Sequence, residues 1–349
     1  MTHSVSAPSP TGLGPFRDIT PGGIPRRCGE AVWSATVFEG ALYLAVLGRE
    51  IQTVLRLEPS TGKWETLLHR SVSRPGADSG EIGAAAQFAA GRFQEAPALY
   101  LRIAAGDEVE HLRSVGGPFE PVPSHFEEVQ AALTAASPAA PALPDHPPTS
   151  RFSRALKLGS ATVVGLDDPV LGCSLWAKEE NWKPVLVRGA HRYSENAEIL
   201  AAASHGDCLF VVLGKSASAP RRKTPGFEVV RVYADGSWDL LIGTPRVSDQ
   251  GLKVPLACLG PGMDEFEPSR FCFFASGRNG LLLGTYDDLA GFRIWRSVDG
   301  TRWVAGEAEL VGIDRVRGAE SLPLAGGIAL ILQLDNPQHG LTQSVWIGE

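Results

Sequence analysis

The chain has 349 residues, of which 44% are hydrophobic and 20% charged, a balance that supports a large core and excludes global disorder. Gly 39 and Pro 26 together exceed average usage and argue against a helical bundle. Lys+Arg 32 against Asp+Glu 39 gives a net charge of -7, without the basic surplus of a nucleic-acid binder.

The first residues, MTHSVSAPSPTGLG, lack a basic stretch followed by an apolar one, so no signal peptide is expected. Residues 1–13 read as a flexible N-terminus. No stretch approaches the length of a membrane span, and a cytoplasmic protein with no membrane or nucleic-acid partner is the expectation. The five cysteines, Cys28, Cys173, Cys208, Cys258 and Cys272, are odd in number and widely spaced. They form no CxxC pair, which points to reduced thiols and away from a zinc site.

A short pattern recurs six times along the chain. Its most apolar strand reads ALYLAVLG at 41–48, ALYLRIAAG at 98–106, ATVVGLDD at 161–168, CLFVVLGKS at 208–216, GLLLGTYDD at 280–288 and GIALILQLD at 327–335. Each is followed by a second strand: TVLRLE, VEHLRS, CSLWAK, EVVRVY, RIWRSV and SVWIGE. β-branched and aromatic runs bounded by turn residues are the strand signature. In five of the units a tight turn then leads to an aromatic residue, at Trp64, Phe119, Trp182, Trp238 and Trp303, which opens an outer strand and packs between units. Before each apolar strand lies another rich in small residues, at 31–38, 83–90, 155–158, 199–204, 271–276 and 321–326, suited to a crowded central axis.

Equivalent positions Tyr43, Tyr100, Val163, Phe210, Leu282 and Ala329 lie 57, 63, 47, 72 and 47 residues apart. Propeller blades run about 40–50 residues plus insertions. The pattern predicts an all-β chain: one six-bladed β-propeller of four-stranded antiparallel blades over residues 1–349, seven blades being the less favoured count. The sixth unit has three strands, and GPFRDIT at 14–20 supplies the fourth. Two insertions interrupt the spacing. Residues 124–150 combine a capping box at Ser124 and Glu127 with a Pro-rich run, and 215–226 is a flexible basic loop around Arg221, Arg222 and Lys223.

The segments GTYDDLAGFRIWRSVDGTRW at 284–303 and GALYLAVLGREIQTVLRLEPSTGKWETL at 40–67 resemble blades of bacterial kelch-like and sialidase-like β-propellers. The likeness covers residue 25 to the C-terminus as a repeat pattern and specifies architecture, not activity. SVDGTRW resembles the Asp-box of sialidase-type propellers but is one residue short, so Asp299 reads as a turn acid.

In a propeller the starts of the inner strands and the loops after the most apolar strands share one face. There the register collects Glu30, Glu198, Arg270 and Arg317, with Glu81 and Arg154 fitting through an altered turn length and Glu320 following closely. Charges converging on a narrow channel must pair with each other or hold a ligand, because unpaired buried charge is costly. Loops on that face add Arg49, Asp167, Asp168, Asp287, Asp288, Asp335, Asn336, His191 and Tyr193. His191 has no HxH or HxxxH partner, so no metal is expected, and no cofactor motif is present: no Walker loop, HExxH or GxSxG, and no GxGxxG after a strand.

Three functions fit. The favoured one is a cofactor-free tailoring enzyme or binder of a small organic molecule in the central funnel, with Arg stabilising an anion and Glu or Asp moving a proton. Alkylation or cyclisation, as in some cofactor-free propeller enzymes, is the fold-level analogy. Glu30, Arg154, Glu198, Arg270 and Arg317 are its candidate catalytic residues, and Glu81, Tyr193, His191, Asp287 and Glu320 its candidate binding residues. The second is a non-catalytic scaffold for a protein partner. The third is a sialidase-like glycosidase, implied by the resemblance, with Arg154, Arg270 and Arg317 standing for an arginine triad near Tyr193 and Glu198.

Overall fold

The computed structural model describes residues 16–27, 30–48, 50–58, 61–72, 84–105, 108–123, 156–178, 180–215, 226–263, 270–277, 280–287, 291–305, 316–324, 327–336 and 340–348. Glu81, Arg154, Arg49, Asp288, the insertion at 124–150, most of the basic loop and the first residues lie outside them.

Strand β1 (Arg17–Asp18) precedes the first complete sheet, built of β2 (Ala31–Phe38), β3 (Ala41–Gly48), β4 (Ile51–Glu58) and β5 (Lys63–Ser71). The second holds β6 (Ala84–Phe93), β7 (Ala96–Ala105), β8 (Glu108–Ser114) and β9 (Glu120–Val122). The third holds β10 (Leu156–Leu158), β11 (Ala161–Leu166), β12 (Ser174–Lys178) and β13 (Trp182–Leu186). The fourth holds β14 (Glu198–His205), β15 (Cys208–Gly214), β16 (Glu228–Val232) and β17 (Trp238–Ile242). A two-stranded hairpin, β18 (Arg246–Ser248) and β19 (Gly251–Lys253), follows it. The fifth holds β20 (Arg270–Gly277), β21 (Gly280–Asp287), β22 (Gly291–Ser297) and β23 (Val304–Ala305). The last holds β24 (Val316–Leu324), β25 (Gly327–Asn336) and β26 (Gly340–Gly348), with β1 as its fourth strand.

The described residues thus form six four-stranded antiparallel sheets, five of them meanders of consecutive strands and the last completed by β1, and the chain is a β-propeller. The first strands of the blades face one another around the axis: β6 abuts β2, β2 abuts β24, β24 abuts β20, β20 abuts β14 and β14 abuts β10.

The second strand of each blade is buried on both faces, which is why it reads as an unbroken apolar run. In β3, Leu42, Leu44 and Val46 pack with Leu322, Ala329 and Val345 of the last blade, while Tyr43, Ala45 and Leu47 pack with Leu99 and Leu101 of the second. The period of two along a strand sends alternate side chains to opposite neighbours. The core is therefore a set of layers between blades.

Arginines on the third strands tie blades across these layers. Arg56 Nη1 donates to Gly116 O at 2.9 Å and Arg231 Nη1 to Asp299 O at 3.3 Å, each reaching a turn of the next blade. Arg56 also pairs with Glu65 at 2.5 Å, and Arg231 with Asp239 at 2.7 Å. Asp299 caps its own turn, accepting from Thr301 N at 2.8 Å, as a turn acid does.

The ring closes through the N-terminal segment. Arg17 pairs with Ile347 and Asp18 with Trp346 in register. Ile19 N donates to Val345 O at 2.9 Å, Val345 N donates to Thr20 Oγ1 at 2.9 Å, and Trp64 Nε1 donates to Ile19 O at 2.6 Å. The last of these bonds fastens the closing strand to the first blade as well.

The hairpin β18–β19 was not legible in the sequence. The chain around it covers the outer edge of the fourth blade, where Leu256 N and Ala257 N donate to Leu240 O and Leu241 O, both at 3.0 Å. Covering that edge removes a template for pairing with another chain. No helix among the described residues is long and apolar enough to cross a membrane.

Candidate functional site

Four of the sequence candidates stand at the same end of adjoining inner strands. Glu198 is the first residue of β14 and Arg270 the first of β20; Arg317 is the second of β24, and Glu30 immediately precedes β2. Around the axis they run Glu198, Arg270, Arg317, Glu30, so the acidic and basic positions neighbour each other in pairs. Glu30 lies 3.7 Å from Arg27, and both side chains are half exposed. Glu198, Arg270 and Glu320 each engage other groups of the protein. Glu320 is an exposed residue of β24, in register with Ile331 of β25. Asp287 closes β21, next to Tyr286, the register partner of Arg270.

On the same face, Asp167 Oδ1 accepts from Ile199 N at 2.9 Å, and Asp168 Oδ1 accepts from Val170 N and Leu171 N, both at 2.8 Å. The first carboxylate holds the start of β14, and the second caps the turn that follows β11. Among the described residues no group of three His, Cys, Asp or Glu side chains is placed to hold a metal ion.

His191 reaches away from this row, while the Tyr193 backbone packs against Gly172, at the end of the turn that Asp168 begins. Both His191 and Tyr193 belong to the connector from β13 to β14, and the His191 ring lies against Trp238, the first residue of the outermost strand of the fourth blade. The connector brings His191 to the opposite edge of that blade from Glu198. Tyr193 is 46% exposed.

The connector is built on an unusual backbone. Arg188, Ala190, His191 and Tyr193 have φ of 55°, 53°, 65° and 51°, and Gly189 has φ 55°. Left-handed backbone costs L-residues about 1–2 kcal/mol each, and only glycine adopts it freely. Something must hold four such residues in place.

That support is a buried ionic knot. Glu228, the first residue of β16, is 1% exposed. It continues the row of Val230 and Val232 that packs against the third blade. Its carboxylate accepts from Asn196 Nδ2 at 2.7 Å, from Thr244 N at 2.8 Å, and from Arg192 Nη1 and Arg246 Nη1, both at 3.1 Å. Arg246 Nε donates in turn to Ala190 O at 2.6 Å, and Arg192 Nη1 to Thr244 Oγ1 at 2.6 Å. Asn196 Nδ2 also donates to Gly189 O at 3.0 Å. Burial pulls the Arg246 guanidinium below its ordinary range, and Arg192 adds to this while Glu228 opposes it. A buried charge survives only with such partners.

Sequence reasoning missed Glu228, Arg192, Asn196, Thr244 and Arg246. One signal was present: in FEVVRV the glutamate occupies a core-facing position of a β-branched row. The arginines that answer it come from a loop and an insertion, which leave no periodic trace.

Above the knot a surface cleft of about 170 Å³ opens between the third and fourth blades. It is lined by the chain from Pro184 to Val187 and by His191, Gly236, Trp238, Asp249 and Gln250. Asp249 Oδ2 is 3.8 Å from His191 Nε2.

No protein-family model matches the chain, and no curated protein matches it. Solved structures that resemble it include the SapL1 lectin in complex with alpha methyl fucoside, at 14% identity and TM-score 0.41, covering 93% of this chain and 96% of that one. Another is a putative oxidoreductase (glucose dehydrogenase) from Thermus thermophilus, at 17% identity and TM-score 0.45, covering 97% and 100%. A third is Trypanosoma rangeli sialidase with the inhibitor DANA, at 10% identity and TM-score 0.43, covering 90% and 54%. Every one of these scores is below 0.5, so the architecture rests on the strand pairings above.

Proposed function

We propose that the protein binds a small organic molecule at the axial face of the propeller and acts on it without a cofactor. The observation that supports this reading is the row Glu198, Arg270, Arg317 and Glu30 at one end of four adjoining inner strands. Blade packing is carried by the apolar layers and needs no such charges. Arginines at that face suit a substrate that carries or develops an anion, and the glutamates suit proton transfer. The reaction class is a tailoring step on a natural product or metabolite, such as alkylation or cyclisation.

A thermal-shift screen against metabolites and natural products, with calcium and EDTA included, tests the reading. Binding to the folded state raises the melting temperature by linkage. A ligand whose shift disappears in Arg270→Ala and in Glu198→Ala, both remaining folded, supports it. A library without hits, or hits indifferent to both substitutions, overturns it.

A scaffold for a protein partner is the second reading. It is favoured by one observation: Val247 and Leu252, paired across the hairpin, are 75% and 69% exposed, and Val254 and Leu256 continue that apolar surface.

A further inference from the structure

We infer that the cleft between the third and fourth blades is a second binding site, separate from the axial face, for a small planar heteroaromatic ring bearing an amino group. The rings of His191 and Trp238 both line the cleft, lie within 16° of parallel and are 6.4 Å apart between centroids. Trp238 is 4% exposed, its ring covered by His191, Lys253 and Arg246, so a flat ring laid in the cleft extends the stack on His191, where aromatic faces favour an offset arrangement. The Asp249 carboxylate, 80% exposed, stands at the same opening, 3.8 Å from the imidazole. It is the group that accepts from an amino substituent. Gln250 is already committed: Oε1 accepts from Trp238 N at 3.2 Å, and Nε2 donates to Gly236 O at 2.9 Å. Its amide therefore shapes the wall, and Asp249 carries the recognition.

The cleft is also costly to build, which separates it from an accidental groove. His191 reaches Trp238 only because the connector takes the left-handed path from Arg188 to His191. That path is held from beneath by the Arg246 bond to Ala190 O and the Asn196 bond to Gly189 O. The hairpin that carries Asp249 and Gln250 is an addition to the four-stranded blade. Two departures from the repeat, a strained connector and an inserted hairpin, meet at one opening. Behind the Trp238 ring, Lys253 Nζ at 4.8 Å and Arg246 at 5.4 Å from its centroid fix the indole in place.

The test uses 2-aminobenzimidazole as the probe and unsubstituted benzimidazole as its control, with the full-length protein in isothermal titration calorimetry. The expected result is saturable one-to-one binding of 2-aminobenzimidazole. Asp249→Asn weakens it about threefold, the size of an ionic contact at a solvent-exposed carboxylate, and leaves benzimidazole unaffected. His191→Ala weakens both compounds. Arg270→Ala and Glu198→Ala change neither, so this site and the axial reading fail independently. Absence of saturation up to millimolar probe overturns the inference. So does an Asp249→Asn variant, folded by its melting temperature, that binds the probe like the parent. Loss of probe binding in Arg270→Ala instead would place the compound at the axial face and overturn it equally.

Discussion

Glu228 shows how one residue at a core-facing strand position recruits an entire neighbourhood. Its carboxylate is 1% exposed and is answered by two guanidinium groups, an amide and a backbone N–H. Removing one member of a buried pair leaves the others without compensation, at about 3–5 kcal/mol. Glu228→Ala is therefore expected to lose about that much in urea unfolding; a loss within the range of a surface substitution would show that the knot carries no stability. Gly243 belongs to the same neighbourhood. It has φ 146°, and a Cβ there would stand 2.5 Å from Glu228 Oε1, so alanine at 243 strains both backbone and knot. A second residue-scale prediction concerns acid. Burial works against ionised Asp239, but hydrogen bonds from Arg231 and Tyr233, both at 2.7 Å, outweigh it and hold its carboxyl below the usual range. A depressed native value gives stability that is present above the unfolded value and lost as pH falls through the native one. Melting temperature followed from neutral pH to below about 4 is expected to fall less steeply in Asp239→Asn than in the parent. Equal slopes would remove Asp239 from the acid transition.

At the scale of the element, what could be read in the sequence depended on whether periodicity marks it. β3 was expected at 41–48 and spans Ala41–Gly48, because burial on both faces leaves only apolar residues along it. The inner strand expected at 199–204 spans Glu198–His205, and that at 271–276 spans Arg270–Gly277. Those one-residue extensions put Glu198 and Arg270 on the strand itself. The last inner strand begins at Val316, five residues before the apolar signal at 321, because its first half carries Arg317 and Glu320 and is polar. The connector gave no signal at all. Arg188, Ala190, His191 and Tyr193 adopt backbone that glycine or asparagine would advertise, and none of them is either. That strain can be measured. Arg188 is exposed at φ 55°, so glycine there relieves about 1–2 kcal/mol of strain and adds less than about 1 kcal/mol of unfolded-state entropy. Arg188→Gly is expected to stabilise the protein by about 0.5–1 kcal/mol, the reverse of the usual sign for a glycine substitution. Destabilisation in a urea titration would mean that the Arg188 side chain holds the connector more strongly than its backbone strains it.

At the scale of the whole molecule, the blade order sets apart the joint between the last blade and the first. Every blade except the last is a continuous meander of strands consecutive in the sequence. The last blade recruits β1 from the other end of the sequence, and its four strands pair only if the ring has closed. The closing contacts include two register pairs, the Ile19 bond to Val345, the Thr20 bond from Val345, the Trp64 bond to Ile19 and the buried Phe16 ring; further along, Gln343 N donates to Arg26 O at 2.7 Å and Arg27 bridges Thr342. Trp64 belongs to the first blade, so this joint couples the first blade to the last by hydrogen bonding as well as by the apolar layer around Leu44 and Val345. A chain that begins at residue 21 lacks β1, leaves β26 as an open edge and strands the Trp64 indole N–H. Open edges pair with other chains. The truncated protein is expected to unfold at lower temperature and to self-associate as its concentration rises, read by calorimetry and by light scattering after gel filtration. Thr20→Ala, which deletes the acceptor for Val345 N and the hydroxyl bond to Asp18 Oδ1 but keeps β1, is expected to lose about 1 kcal/mol and stay monodisperse if the parent is. A truncation that melts like the parent would show that the apolar layer, with the Arg26 and Arg27 contacts to β26, closes the ring without β1.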